Sequence, residues 1–525
     1  MRVLIVTGQL AKDTIAKYVE EGPVEAQVLA LPTSVAALLS PSIIKTELRG
    51  RSLKGFHLIL VPGLVRGDVS IVEKAVGIPT FKGPKYGADL PLVLSRLGHV
   101  TLSSTLAADE VLKAHQRHRV FDELRISREK REALLKREGS LAVGNVGVGR
   151  GFPLRVMAEL LDAPTLTDSE VLAKAEYYVA SGADIIDIGM VAGESLPKDA
   201  ARAVRVVKDS FSLPVAIDTY DVDEARAGVS AGADMVLSVD WGNAEEVAAF
   251  ASDIPVVVTS TNQRRAYVPT KASMKVAALE ENIRQAVHLG MKKVVGDLIV
   301  HPLNTPGIME CLVAYHEFSK RNPTIPLLFG SGNVTELTDA DSVGVNALLA
   351  GMASELKVSI LLTTEGSVKT TGSVRELATA AKMMFLAETR NSTPKDLGVD
   401  LLLLKDKRLK DESYEKTWER NARIIEAAAE GEDLDPKGCF RILIDRKEKK
   451  LVAIHHLAGS RPTIIRGEKA EDVCSTIINM RLISTLNHAS YVGKELEKAE
   501  LALRIGKSYI QDEALFPAYE KDEVT

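Results

Sequence analysis

The sequence predicts an α/β protein: a central closed (β/α)8 barrel, preceded by an open parallel α/β domain and followed by an α+β domain. Three observations predict it. Between Ser140 and about Glu388, short runs rich in Val and Ile alternate with helical patterns, and eight such units in about 250 residues is the length of a closed barrel. The runs end, one after another, on single polar residues, as strands do when their C-terminal ends open onto a shared mouth. A chain of 525 residues is also too long for one core and suggests about three domains.

Residues 1–107 open with RVLIVTG, a helical AKDTIAKYVEE, then EAQVLAL and HLILVPGLVRGD, an alternation that predicts a parallel sheet. Gly63, Arg66, Gly67 and Asp68 follow its third strand, where an anion loop and a plain tight turn are equally compatible with the residues. The mixed charges of 108–139 predict a solvated connecting helix. In the barrel region, 140–390, strands are expected at LAVGN (141–145), DIIDIG (184–189), PVAIDT (214–219), MVLSVD (235–240), PVVVTS (255–260), KVVGD (293–297), PLLFG (326–330) and SILLTTE (359–365). A connector at 391–437 leads to a C-terminal domain at 438–525. There CFRILIDRKEKKLVAIHHL reads as a hairpin turning on RKEKK, followed by helices.

Composition removes several function classes. The net charge of −5, with 66 basic and 71 acidic residues intermixed, argues against nucleic acid as a partner. No stretch approaches 18 uninterrupted apolar residues, so no membrane span is expected. Cys311, Cys439 and Cys474 are scattered and form no Cys-x-x-Cys pair, which fits a reducing cytoplasm and no thiolate zinc site.

The mouth is where the chemistry should lie. Asn145, Asp187, Asp218, Ser238, Asp240, Asp297, Asn333 and Glu365 all fall at or just beyond strand ends, and each could alternatively cap a helix. Clustered carboxylates can hold a cation, run acid/base chemistry or read a heterocycle. With about one per strand, the best match for a single buried Asp is an N–H/NH2 edge, which gives a carboxylate two parallel donors. His301, followed by Pro302, reads as a turn residue rather than a metal ligand.

GNVGVG, GADIIDIG, VAIDT, VVGDL and GSGNVTEL, in that order, resemble the pterin-binding barrels of dihydropteroate synthases and methyltetrahydrofolate-type methyltransferases, and the full chain is similar to archaeal dihydropteroate synthase-related proteins. The resemblance implies a reduced pterin of folate or tetrahydromethanopterin type, held by Asp297 on its 2-amino and N3–H edge, with Asp218 and Ser238 on the other side. It also implies Asn145 near a Mg2+ ion and a diphosphate, with Arg150 and Asp187 supporting that side of the mouth. Departures are evident: Ser238 stands where synthases carry an Asn, Asn333 replaces part of a Ser-Arg-Lys, and Glu365 and Lys369 stand where an Arg-x-His grips phosphate. Asn333 fits the methyltransferases instead.

NHASYVGKELEKAELAL in the third region resembles the corrinoid-bearing component of tetrahydromethanopterin S-methyltransferase, which implies a corrinoid; His488 is a candidate ligand there against an internally hydrogen-bonded histidine, and His455 and His456 are weaker candidates. Three readings follow: condensation of a pterin-methyl diphosphate with an arylamine, methyl transfer between a methyl-pterin and a corrinoid or thiol, and a non-catalytic carrier of pterin or corrinoid. The resemblance to synthases also implies a homodimer.

Overall fold

The computed structural model describes residues 1–20, 24–112, 123–124, 129–395, 397–405, 422–425, 427 and 435–516; stretches of both expected connectors, 108–139 and 391–437, lie outside them. The chain forms two compact units, Met1–Glu412 and Ser413–Thr525.

The first unit begins with β1 (Arg2–Thr7), β2 (Glu25–Ala30), β3 (Leu58–Val61) and β4 (Thr80–Lys82), a parallel sheet in the order β2-β1-β3-β4. Both faces of β1 are buried, Val3 and Ile5 in one cluster and Leu4 and Val6 in another, as a strand covered on two sides requires. In the loop after β3, a Cβ on Gly63 would lie 2.6 Å from the Gly83 carbonyl oxygen, so the glycine is what lets the two loops touch. Asp68 accepts from the backbone N–H and hydroxyl of Ser70 at the entry to the helix Ser70–Val76.

Next comes an antiparallel hairpin of β5 (Ser140–Val143) and β6 (Val146–Gly149), and then the barrel. Its strands are β7 (Arg155–Leu160), β8 (Ile185–Gly189), β9 (Val215–Asp218), β10 (Met235–Val239), β11 (Val256–Thr259), β12 (Val294–Asp297), β13 (Leu327–Gly330) and β14 (Ile360–Thr364). They close in chain order, with β14 pairing β7 in parallel. The barrel is therefore as expected, but its first strand is not. LAVGN is an arm of the hairpin, turned by Gly144 at φ +50° and Asn145, a Gly-Asn pair between apolar arms. Val143 and Val148 of the hairpin are fully buried against Met157, Ile185, Ala216 and Val295, where they stop the N-terminal end of the barrel.

The second unit holds a three-stranded antiparallel sheet, β15 (Cys439–Asp445), β16 (Lys450–His456) and β17 (Thr463–Gly467), under the helices Ala470–Asn479 and Leu486–Ile505. The hairpin on RKEKK is present; β17 is an addition to the sequence reading. No described helix is long and apolar enough to cross a membrane.

Candidate functional site

Strand parity builds the site. Met157, Ile185, Ala216, Val257, Val295 and Leu328 face inward and pack together. Because side chains alternate with a period of two, the residue two positions further along each strand also faces inward. Those residues are Glu159, Asp187, Asp218, Thr259, Asp297 and Gly330, at or near the strand ends. The apolar layer is thus the floor, and the polar layer above it lines a cavity of about 850 Å3 walled by Glu159, Asp218, Ser238, Asp297 and Asn333 among others. That volume suits a drug-sized ligand.

Asp297 closes β12 and is held from behind. Its Oδ1 accepts from the Ile299 N–H at 2.7 Å and from the Tyr315 hydroxyl at 2.9 Å, and that hydroxyl lies 2.6 Å from the Leu328 carbonyl. Burial lifts its carboxyl to about 6. Ile299 is β-branched yet sits at φ +56°, a conformation that persists only where its surroundings impose it. The clamp is Lys275, fully buried, whose Nζ donates to the Leu298 and Ile299 carbonyls at 2.8 and 2.9 Å and lies 3.2 Å from His301 Nε2. His301 is thereby a structural residue of this loop, as the sequence suggests.

On the other side, Ser238 at φ +64° lies within an irregularity in the β10–β11 register, and its hydroxyl donates to Asp218 Oδ1 at 2.5 Å. A bulge of this kind re-aims a side chain, here towards the mouth. Asn333 donates its amide to the Val300 carbonyl at 2.8 Å, which fixes the amide plane with Oδ1 still available as an acceptor.

Glu159, absent from the sequence reading, completes the floor. It is the register partner of Asp187, while Asp218 pairs with Gly189 one step higher. A Cβ on Gly189 would lie 2.4 Å from Glu159 Oε1, so the bare glycine is what allows the Glu159 side chain to cross β8 towards Asp218. Oxygens of Glu159, Asp187 and Asp218 lie within 4.8 Å of one another. Burial first, then the Asp218 and Asp162 charges, raise the Glu159 carboxyl to about 8. Burial and its two acidic neighbours raise Asp187 well above the usual range, and burial raises Asp218. The residue was missed because RVMAEL carries helix formers and LAVGN had already filled the place of the first strand; the inward parity of Met157 and Glu159 was the available signal.

Other expected residues lie elsewhere. Asn145 is in the hairpin turn at the opposite end of the barrel, its amide on the Ser212 carbonyl at 3.1 Å. Arg150 lines a hollow of about 310 Å3 with Phe152, Ser354, Lys357 and Glu388, also at the N-terminal end. Neither can meet a diphosphate or Mg2+ at the mouth, because both follow from placing the first strand two strands too early. Asp240 is buried and accepts from the Gly242 and Gln263 N–H groups and the Thr261 hydroxyl, organising two loops. Glu365 accepts from Val374 N–H and the Tyr177 hydroxyl. Lys369 reaches the Thr338 carbonyl and Asp339, away from the cavity. Asp187 lies at the centre, below the cavity surface and fully buried. The described lining contains Glu159, Glu194, Asp218, Asp221 and Asp297 but no Lys, Arg or His.

In the second unit His488 is internally paired, as one reading anticipated: its Nδ1 lies 3.0 Å from Asp435, which also accepts from Lys437, Ser484 and Thr485. His455 Nε2 lies 2.7 Å from the Lys437 carbonyl, and His456 is exposed at the end of β16.

The comparisons with known proteins agree with this architecture. Residues 163–334 match the family described as pterin binding enzyme, residues 434–512 match PterinBD-DUF4346, and residues 1–85 match a family of unknown function. An uncharacterized protein of Methanocaldococcus jannaschii is 41% identical over 532 aligned residues, covering 98% of this chain and 99% of its own. A dihydropteroate synthase of Streptococcus pyogenes is 27% identical over 113 residues, 19% of this chain and 42% of the synthase, so the match spans less than half of that enzyme. Among solved structures, dihydropteroate synthases of Stenotrophomonas maltophilia, with bound imidazole, and Thermus thermophilus, in complex with 6HMPPP, align at 22% and 20% identity, over 44% and 46% of this chain and 91% and 97% of theirs, with TM-scores of 0.37 and 0.36. With a near full-length relative and a pterin-binding match over its barrel, the chain belongs to the archaeal, dihydropteroate synthase-like pterin-binding family that includes the M. jannaschii protein.

Proposed function

We propose that the barrel binds a reduced pterin between Asp218 and Asp297 and acts as a synthase-type transferase, joining a pterin-methyl diphosphate to an arylamine. The observation that carries the reading is the pair of half-buried carboxylates on β9 and β12, both lining one cavity, each with one oxygen anchored by the protein and the other directed at no protein donor among the described residues. Asp297 takes the N3–H and 2-amino edge; Asp218, steadied by Ser238, takes a donor on the opposite side of the bicycle. In the reaction the arylamine nitrogen forms a bond to the pterin methyl carbon while the bond from that carbon to diphosphate oxygen breaks, and the amine proton passes to solvent. The contribution of these residues is orientation, which converts a two-molecule encounter into an in-place displacement.

Among the described residues the lining offers a diphosphate no basic side chain, and a cation would meet its charge. A divalent ion at Glu159, Asp187 and Asp218 would supply that positive charge. A second reading, methyl transfer from a methyl-pterin, is favoured by Asn333, whose free Oδ1 and acidic surroundings suit a nitrogen that becomes positive. Incubating the full chain with pterin-methyl diphosphate and an arylamine distinguishes the two. Release of diphosphate with formation of the C–N product is expected; pterin binding with no diphosphate release at high enzyme concentration, together with methyl exchange from a methyl-pterin, would replace the first reading by the second.

A further inference from the structure

We propose that Glu159, Asp187 and Asp218 form a divalent-cation site in the floor of the mouth, selective for a hard, oxygen-preferring ion of the magnesium or manganese class. The site stands on its own geometry; only the purpose given to the ion, neutralising a diphosphate, rests on the pterin reading.

Three adjacent strands bring these carboxylates together. Glu159 and Asp187 are register partners on β7 and β8, Asp218 is one step higher on β9, and their oxygens lie within 4.8 Å of one another. Like charges at that separation repel, so the cluster needs either protons or a positive ion. Among the described lining residues there is no Lys, Arg or His to supply positive charge. Donors are scarce as well. Asp187 is fully buried, and neither of its oxygens has a well-formed hydrogen-bond partner among the described residues, the backbone N–H of Ile188 being too poorly placed to make one, an arrangement that natural proteins seldom leave unmet. Both oxygens belong to a residue whose inward neighbours are the other two carboxylates. Asp218 gives one oxygen to Ser238 and keeps the other, whose two lone pairs can serve the ion and a pterin donor together.

The donor set decides the class of ion. All three ligands are carboxylates, with no imidazole or thiolate alongside, which selects a hard cation over zinc or copper. Ions of the magnesium type are bound through few carboxylates and complete their shell with water and substrate phosphate, and this cluster lies beside an open cavity that can admit both. Gly189 belongs to the design. A side chain there would strike Glu159 Oε1, so the glycine at the end of GADIIDIG keeps a path open for the third carboxylate. The sequence expectation of Mg2+ beside Asn145 is thereby moved to the other end of the barrel.

The test uses the full chain stripped with EDTA and titrated with Mn2+ near neutral pH, free Mn2+ being read by electron paramagnetic resonance. Tight binding of about one ion per chain, displaced by Mg2+, is expected. Asp187→Asn and Glu159→Gln should each weaken it by more than the roughly 10- to 100-fold that loss of an outer-sphere partner brings, while Asn145→Ala leaves it unchanged. If Asp187→Asn fails to fold, Glu159→Gln at the partly exposed position gives the same reading. Absence of Mn2+ binding at millimolar concentration, or binding that both carboxylate variants leave intact, overturns the proposal in favour of a proton-sharing cluster. A parallel titration of stripped protein with uncharged 6-hydroxymethylpterin separates the two claims: pterin binding without Mn2+ binding sinks the cation site alone, and Mn2+ binding without pterin binding supports the cation site while sinking the pterin reading.

Discussion

Replacing Asp297 with Asn probes the group on which pterin recognition most depends. Oδ1 of Asp297 already serves Ile299 N–H and the Tyr315 hydroxyl, and an Asn can keep its own Oδ1 on both. Burial has lifted the carboxyl to about 6, so a neutral amide is no harder to bury and the fold should survive. The ligand side changes sign. Where the second carboxylate oxygen accepted from the heterocycle, an NH2 group now points at its N–H and NH2 donors. Hydrogen bonds to a charged group contribute about 1.5–3 kcal/mol each, and breaking one side of a buried charged pair costs about 2–5 kcal/mol. The dissociation constant should therefore rise from roughly 30-fold to several thousand-fold. Titration calorimetry with a 6-substituted reduced pterin measures this, with melting temperature as the control for folding. A normally melting variant whose affinity stays within about threefold of the parent protein would refute the assignment of Asp297 to the pterin edge.

The same carboxyl predicts a pH dependence. Its folded value of about 6 lies above the ordinary 3.8, so the free folded protein holds this proton more tightly than the unfolded chain, and the group's contribution to stability declines as pH rises from about 4 to about 6. Pterin binding needs the carboxylate, so affinity should be level above that range and fall about tenfold per unit below it; a flat profile down to the ordinary carboxylate range would show that Asp297 does not bind the ligand. Lys275→Met leaves two carbonyls and His301 without their donor and should lower stability by about 1–3 kcal/mol for each buried acceptor left unpaired, read in urea unfolding. Pterin affinity should weaken with it, because Ile299 is released from its strained conformation; a loss under about 1 kcal/mol would mean the clamp is dispensable. In the second unit, burial opposes the charge on Asp435, but its donors from Ser484, Lys437 and His488 outweigh it and hold the carboxyl below the usual range. Its stabilisation is therefore present at neutral pH and lost in strong acid. Asp435→Ala should cost about 2–4 kcal/mol, read as faster hydrogen exchange along β15 and β16, and unchanged exchange would exclude this role.

How much of the site was legible depended on strand parity. VAIDT and VVGDL each place an Asp at the end of a short apolar run, and for such a run, confined inside a barrel, the inward position of the final residue follows from the period of two. In the sequence, Asp218 and Asp297 are legible from their place at the strand ends and from the resemblance these motifs carry. Asn145 and Arg150 were misplaced because a hairpin arm and a barrel strand share the same local pattern of alternating apolar residues; only the pairing partner tells them apart. Glu159 was lost in the same error. Lys369 and Glu365 follow the last strand as expected, yet the Lys369 side chain turns to a neighbouring loop and the Glu365 side chain to two helices, a choice made by the partners those elements present.

Local periodicity and turn chemistry are enough to set the repeating strand and helix pattern, the closed barrel that eight such units form, and the acidic strand ends. Which segment serves as the first strand, the approach of Glu159 across Gly189 to Asp187 and Asp218, and the clamp of Lys275 behind Asp297 were decided by tertiary structure alone. They join residues 28 to 59 positions apart along the chain in the case of Glu159, and the burial, repulsion and missing partners that give the floor its chemistry exist only once barrel closure has expelled water from it.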